Sequence, residues 1–144
     1  MKFQEKLENL NACSNAIDWC KNYSSLQKAW DACERADWSL WIVGNLSGKP
    51  GSQKRKKLVL CACEIARLSL RYVPNGETRP LKAIETAEKF AGGDKGISLQ
   101  NVRNAADAAA YAASRADDAA NAKKEMQIKC AEIVRKHYPK APRI

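Results

Sequence analysis

The sequence predicts an all-α protein: a single-domain bundle of five to six helices that ends in a long Ala-rich C-terminal helix. Three observations predict it. Apolar residues recur at spacings of three and four over most of the chain. Clusters of Gly, Pro and Asn separate those stretches. From Ser98 neither Pro nor Gly appears until Pro139, and that stretch is rich in alanine, the strongest helix former. Alternating runs of the kind strands need are few and short. With 144 residues, 45% of them apolar, the chain can bury a core without staples and is too apolar to be disordered. The domain is placed at 1–138, with 139–144 as a basic C-terminal tail.

Phe3 to Leu10 reads either as part of the first helix or as a separate turn. Ser14 is a candidate cap for a helix through about Asn22, with Ala16, Ile17, Trp19 and Cys20 available for burial. Ser24 or Ser25 starts a second, in which Leu26, Ala29, Trp30 and Cys33 are spaced at three and four. Asp37 is a candidate cap for a third, carrying Trp38, Leu40, Trp41, Ile42 and Val43, which Gly44-Asn45 and the Gly48–Ser52 stretch are expected to break. From about Lys54 to Tyr72 a helix is apolar over more than half its circumference, which predicts a central position. Pro74-Asn75-Gly76 is a turn, and Thr78 with Pro80 opens a helix through Phe90 that Gly92-Gly93 closes.

In the last stretch Val102, Ala106, Ala109, Ala113, Ala116 and Ala120 form a seam of small residues at alternating four and three. About forty helical residues would span about 60 Å, whereas a compact chain of this length has a radius of gyration near 15 Å. The helix therefore either bends near 117–124 or projects and pairs with a second copy, and homo-oligomerisation through the seam is the expectation.

The composition excludes several chemistries. Only one histidine is present, His137, which removes histidine-based triads and zinc sites needing two or three imidazoles. The N-terminus is interrupted by charge every two or three residues, so it does not read as a signal peptide, and no run approaches the roughly 20 apolar residues of a membrane span. A cytoplasmic protein is expected, with its six cysteines reduced and mostly buried as small apolar residues. No Cys-x-x-Cys pair occurs, and Cys61 and Cys63 are separated by about 200° around a helix. No cofactor, metal site or catalytic residue is expected. Gly44 to Pro50 approaches a phosphate-binding loop, but it is one residue short, has Pro where a magnesium-binding hydroxyl belongs, and follows a helix.

The net charge of +9 is local. Residues 49–90 carry ten cations and four carboxylates, net +6, while residues 1–48 are net −1. The peak is Lys49, Lys54, Arg55, Lys56 and Lys57 at the start of the central helix, where free backbone N–H groups already favour anions. These side chains either grip a phosphate, nucleic acid or acidic protein face, or form a solvated loop that aids solubility. Glu64, Arg67 and Arg71 share one helical face, with Glu77 and Arg79 beyond the turn. They read as an ion-pair network between helices or as a guanidinium-lined anion pocket. Trp19, Trp30, Trp38 and Trp41 read as core, with Trp38 and Trp41 becoming interface anchors or stacking surfaces if exposed.

Several stretches resemble a known group: Ala29 to Trp41, Leu58 to Leu68, Tyr72 to Pro80 continuing through Ala83 to Glu88, the Ala-rich helix, and Cys130 to Arg135. In order and coverage they resemble a bacterial and phage immunity-protein family of the polymorphic-toxin kind, immunity-protein-five-like. Many members have a longer alanine tract, and Lys54 to Lys57 is unlike their usual loop. The resemblance implies an all-α, non-catalytic protein acting in conflict between bacteria, or between bacteria and phage. The expected activity is therefore binding: neutralisation of an acidic protein partner, a toxin or a defence effector. Two alternatives use the same residues. One is sequestration of an anionic nucleotide signal by Arg67, Arg71, Arg79 and Lys54–Lys57 with a stacking tryptophan. The other is nonspecific nucleic-acid binding.

Overall fold

In a computed structural model, which describes residues 1–102 and 123–144, every regular element among the described residues is helical. The all-α class is thus observed. The Ala-rich seam beyond Val102 and the continuity of the 98–138 helix lie outside the described residues. The chain divides into two compact units, Met1–Leu46 with Gln127–Ile144, and Ser47–Met126.

The first unit begins with α1 (Phe3–Asn9), a separate short helix whose Leu7 is buried. Asn11 then takes a left-handed φ of 64°, a conformation Asn adopts more readily than most residues, and Ala12 N–H closes the turn on the Leu7 carbonyl at 3.0 Å. After it come α2 (Ser14–Cys20) and α3 (Leu26–Ala32). Ser25 caps α3 by accepting the Lys28 N–H at 3.2 Å.

The next helix, α4 (Ala36–Leu46), buries Ala36, Ser39, Ile42 and Val43, one face at helical spacing. It corrects two expectations. Asp37 lies inside the first turn rather than capping it, and the free N–H of Ala36 is taken by Gln127 Oε1 at 3.0 Å. Gly44-Asn45 does not break the helix: Ala36, Ser39, Ile42 and Val43 bury one face of it, and a left-handed residue comes only at Gly48.

Cys130, Ala131 and Val134 of the C-terminal helix α7 (Lys123–His137) complete the buried set of this unit. Trp30, 4% exposed, donates its indole N–H to the Tyr138 carbonyl at 2.8 Å. Arg135 donates to the carbonyl of Cys33 just past the end of α3. Residues 139–144 are held against the same unit: Ala141 N–H donates to Gln27 Oε1 at 2.8 Å and Lys6 Nζ to the Ile144 carbonyl at 2.9 Å.

The second unit is organised by α5 (Gln53–Ser69), which continues as a 3-10 turn (Leu70–Tyr72), and α6 (Arg79–Ala91). Ser52 caps α5. Its hydroxyl accepts the Arg55 N–H at 3.2 Å and donates to the Ser47 carbonyl at 3.1 Å. Cys61 and Cys63 are both buried although they point to different sides, as the broad apolar face of α5 requires. Glu77 N–H closes on the Pro74 carbonyl at 3.1 Å, and Gly76 supplies the φ of 88° that this turn needs. Thr78 occupies the cap position of α6 without a side-chain cap bond, and the Arg79 N–H goes to the Glu77 carboxylate at 3.1 Å instead.

Candidate functional site

The sequence-derived site residues fall in different units: Lys54, Arg55, Lys56, Lys57, Arg67, Arg71 and Arg79 in the second, Trp38 and Trp41 in the first. On α5, Ser52 fixes the first turn and so fixes where the next four cations project. Lys54 and Lys57 are exposed. Arg55 turns back to donate to the Gly48 carbonyl at 3.0 Å, which makes it a loop brace. Lys56 lies half-buried with its ammonium 5.3 Å from the centre of the Phe90 ring, a cation–π contact to α6. Among the described residues no ion pair involves Lys49, Lys54, Arg55 or Lys56, so their charge is not cancelled by a neighbouring carboxylate.

The guanidinium groups further along α5 are engaged differently. Arg67 forks onto Glu88 of α6 through Nε at 2.7 Å and Nη2 at 2.8 Å. Bidentate bonding to Arg67 holds the Glu88 carboxyl below its usual range. Arg79 forks onto Glu77, with Nε at 2.8 Å. Arg71 is exposed, donates to the Leu68 carbonyl at 3.1 Å and lies 5.9 Å from the Tyr72 ring centre. Of the expected network, the link between helices is made by Arg67 and Glu88, a residue not singled out from sequence because its partner is 21 positions away.

In the first unit a cavity of about 410 Å³ opens among α1 to α4. Trp19, Trp30, Trp38 and Trp41 all line it, together with Arg35, Asp37 and the thiols of Cys13, Cys20 and Cys33. Only Trp30 is fully buried, so the core reading of the tryptophans holds for it. Trp19 and Trp38 are half-buried, and Trp41 is 37% exposed. Arg35 bonds Asp37 through Nε at 2.8 Å and Nη2 at 2.6 Å and stacks 4.6 Å from the Trp38 ring centre. Those bonds from Arg35 hold the Asp37 carboxyl below its ordinary value. Arg35, Asp37, Asn11 and Asn15 were not read as site residues from the sequence, although Arg35 and Asp37 lie within three positions of Trp38.

All six cysteines are free, and five are buried, as their apolar neighbours suggested; Cys13 is exposed. Burial pushes the Cys63 thiol up to about 11, with Glu88 adding to the rise, and raises Cys20 and Cys130 as well. These three thiols stay protonated near neutral pH and are poor nucleophiles. No described helix is long and apolar enough to cross a membrane. The chain matches no family model, no curated protein and no solved structure.

Proposed function

We propose that this chain is a non-catalytic binding protein that neutralises a component of a bacterial or phage conflict system, as an immunity protein or an anti-defence inhibitor. The observation that carries the reading is the cation set at the amino end of α5. Lys49, Lys54 and Lys56, uncancelled by carboxylates, share a capped helix start with Lys57, and the segment 49–90 around them is net +6. Such a surface complements an acidic protein face and speeds encounter with it. The resemblance to immunity proteins read from the sequence points the same way. The anionic-nucleotide alternative has less support, because Arg67 and Arg79 already hold Glu88 and Glu77 in their forks. The described residues already hold seven α-helices, more than the five to six expected; cytoplasmic action, a single domain and pairing through the Ala-rich helix belong to the same proposal.

The test is mass spectrometry of what the purified chain releases on heating, beside a pull-down from cells carrying the conflict system. The expected result is one protein at fixed stoichiometry and no phosphorylated nucleotide. A discrete nucleotide in the release would replace this reading with sequestration. Heterogeneous nucleic acid lost steeply with added salt would replace it with nonspecific binding.

A further inference from the structure

We propose that the cavity of the first unit is a binding site for an uncharged planar heteroaromatic molecule of nucleoside size. The inference stands on that unit alone and uses none of the α5 cations. At about 410 Å³ the cavity lies in the lower part of the roughly 300–1,000 Å³ range of small-molecule sites, the scale of one ring system with a sugar.

One wall is built of rings packed against one another. The Trp38 ring is held by the Arg35 guanidinium at 4.6 Å and by the tilted Trp19 ring at 5.8 Å, and Trp19 is packed in turn on Tyr23 at 4.6 Å. Trp41 sits one turn along from Trp38 on α4 and stays 37% exposed while lining the cavity. A large ring left wet at a cavity rim is a stacking platform, and every heteroaromatic base has a π face to meet it.

The polar groups decide the charge of the occupant. Arg35 is matched by Asp37 in a two-bond fork. The pair is neutral, so a phosphate entering here would meet a carboxylate beside the guanidinium. An aliphatic occupant would instead strip water from this pair and from the Asn11 and Asn15 amides without replacing its bonds. The fork uses two of the five guanidinium N–H groups. Those remaining, with two amides that each donate and accept, suit the edge of a base.

The experiment titrates the full chain with adenosine, guanosine, cytidine and uridine, reading tryptophan fluorescence and the rate of Cys13 alkylation by iodoacetamide. Cys13 lines the cavity and is exposed, so an occupant shields it. The expected result is saturable quenching and slowed Cys13 alkylation by at least one nucleoside, with its 5′-monophosphate binding more weakly. Trp41→Ala should weaken binding about 10- to 100-fold, the usual loss of one base stack. Asn15→Ala, at an exposed position, provides a second variant if Trp41→Ala unfolds, and is expected to weaken binding as well. The proposal is overturned if no nucleoside shields Cys13, if the variants bind as tightly as the parent, or if the monophosphate binds more tightly than its nucleoside.

Discussion

Trp30→Phe probes the packing of the first unit. The indole is 4% exposed, and its N–H reaches the Tyr138 carbonyl at 2.8 Å, tying α3 to the end of α7. Phe removes that donor, at a net cost of about 0.5–1.5 kcal/mol. It also removes three ring atoms from a covered position, adding about 1–2 kcal/mol of lost burial and residual cavity. The total is about 1.5–3.5 kcal/mol, which for a chain of this size lowers Tm by about 5–14 °C. Trp41→Phe is the internal control. Its ring is 37% exposed at the cavity rim, so the same change there should cost under about 0.5 kcal/mol. Thermal unfolding followed by helical circular dichroism at several wavelengths measures both. If the two variants melt within about 2 °C of each other, the assignment of Trp30 as a tie and Trp41 as a rim residue is wrong.

Other outcomes follow from individual contacts. Ser52→Ala deletes both the α5 cap and the bond to the Ser47 carbonyl, and urea denaturation should show a loss of about 1 kcal/mol, up to 2. Because Asp37 is held below its ordinary value by Arg35, the pair's contribution is complete above the usual carboxylate range and fades as pH falls through the lowered pKa. The stability gap between the parent and Asp37→Asn should therefore close below about pH 4 in acid titrations. Under native conditions iodoacetamide should modify Cys13 alone, the other five thiols reacting only after unfolding, as counted by intact mass. For Cys63 the raised pKa means that the unfolded chain gives up its proton first. Stability should fall as pH rises from the ordinary thiol range towards 11, and Cys63→Ala should flatten that part of the fall.

Local chemistry made much of the fold legible. Ser25, the turn at Pro74-Asn75-Gly76, Pro80 at the start of α6 and Gly92-Gly93 at its end act on neighbours within four residues, so the chain states them directly. The helical class followed from the same spacing rules. Some local expectations failed: Ser14 is the first residue of α2, with Cys13 at the cap position. Asp37 looked like a cap because its shape suits one, but Gln127 serves Ala36, 91 residues away. Gly44 looked like a break, yet a helix tolerates one glycine when its other residues bury a face.

The candidate site divides along the same line. The α5 cations are contiguous and were visible as a charge peak, whereas the cavity draws on four helices and needed the packed first unit to appear. Glu88 was invisible as the partner of Arg67 for the same reason.

Native mass spectrometry of the tagged chain, purified at low salt from cells carrying the conflict system, tests the central claim most directly. It is run beside a variant in which Lys54, Lys56 and Lys57 are changed to Glu. The account predicts a discrete complex with one acidic protein at whole-number stoichiometry, absent from the charge-reversed variant while that variant keeps its helical content. A parent chain that flies alone, or a complex that survives the charge reversal unchanged, would contradict it.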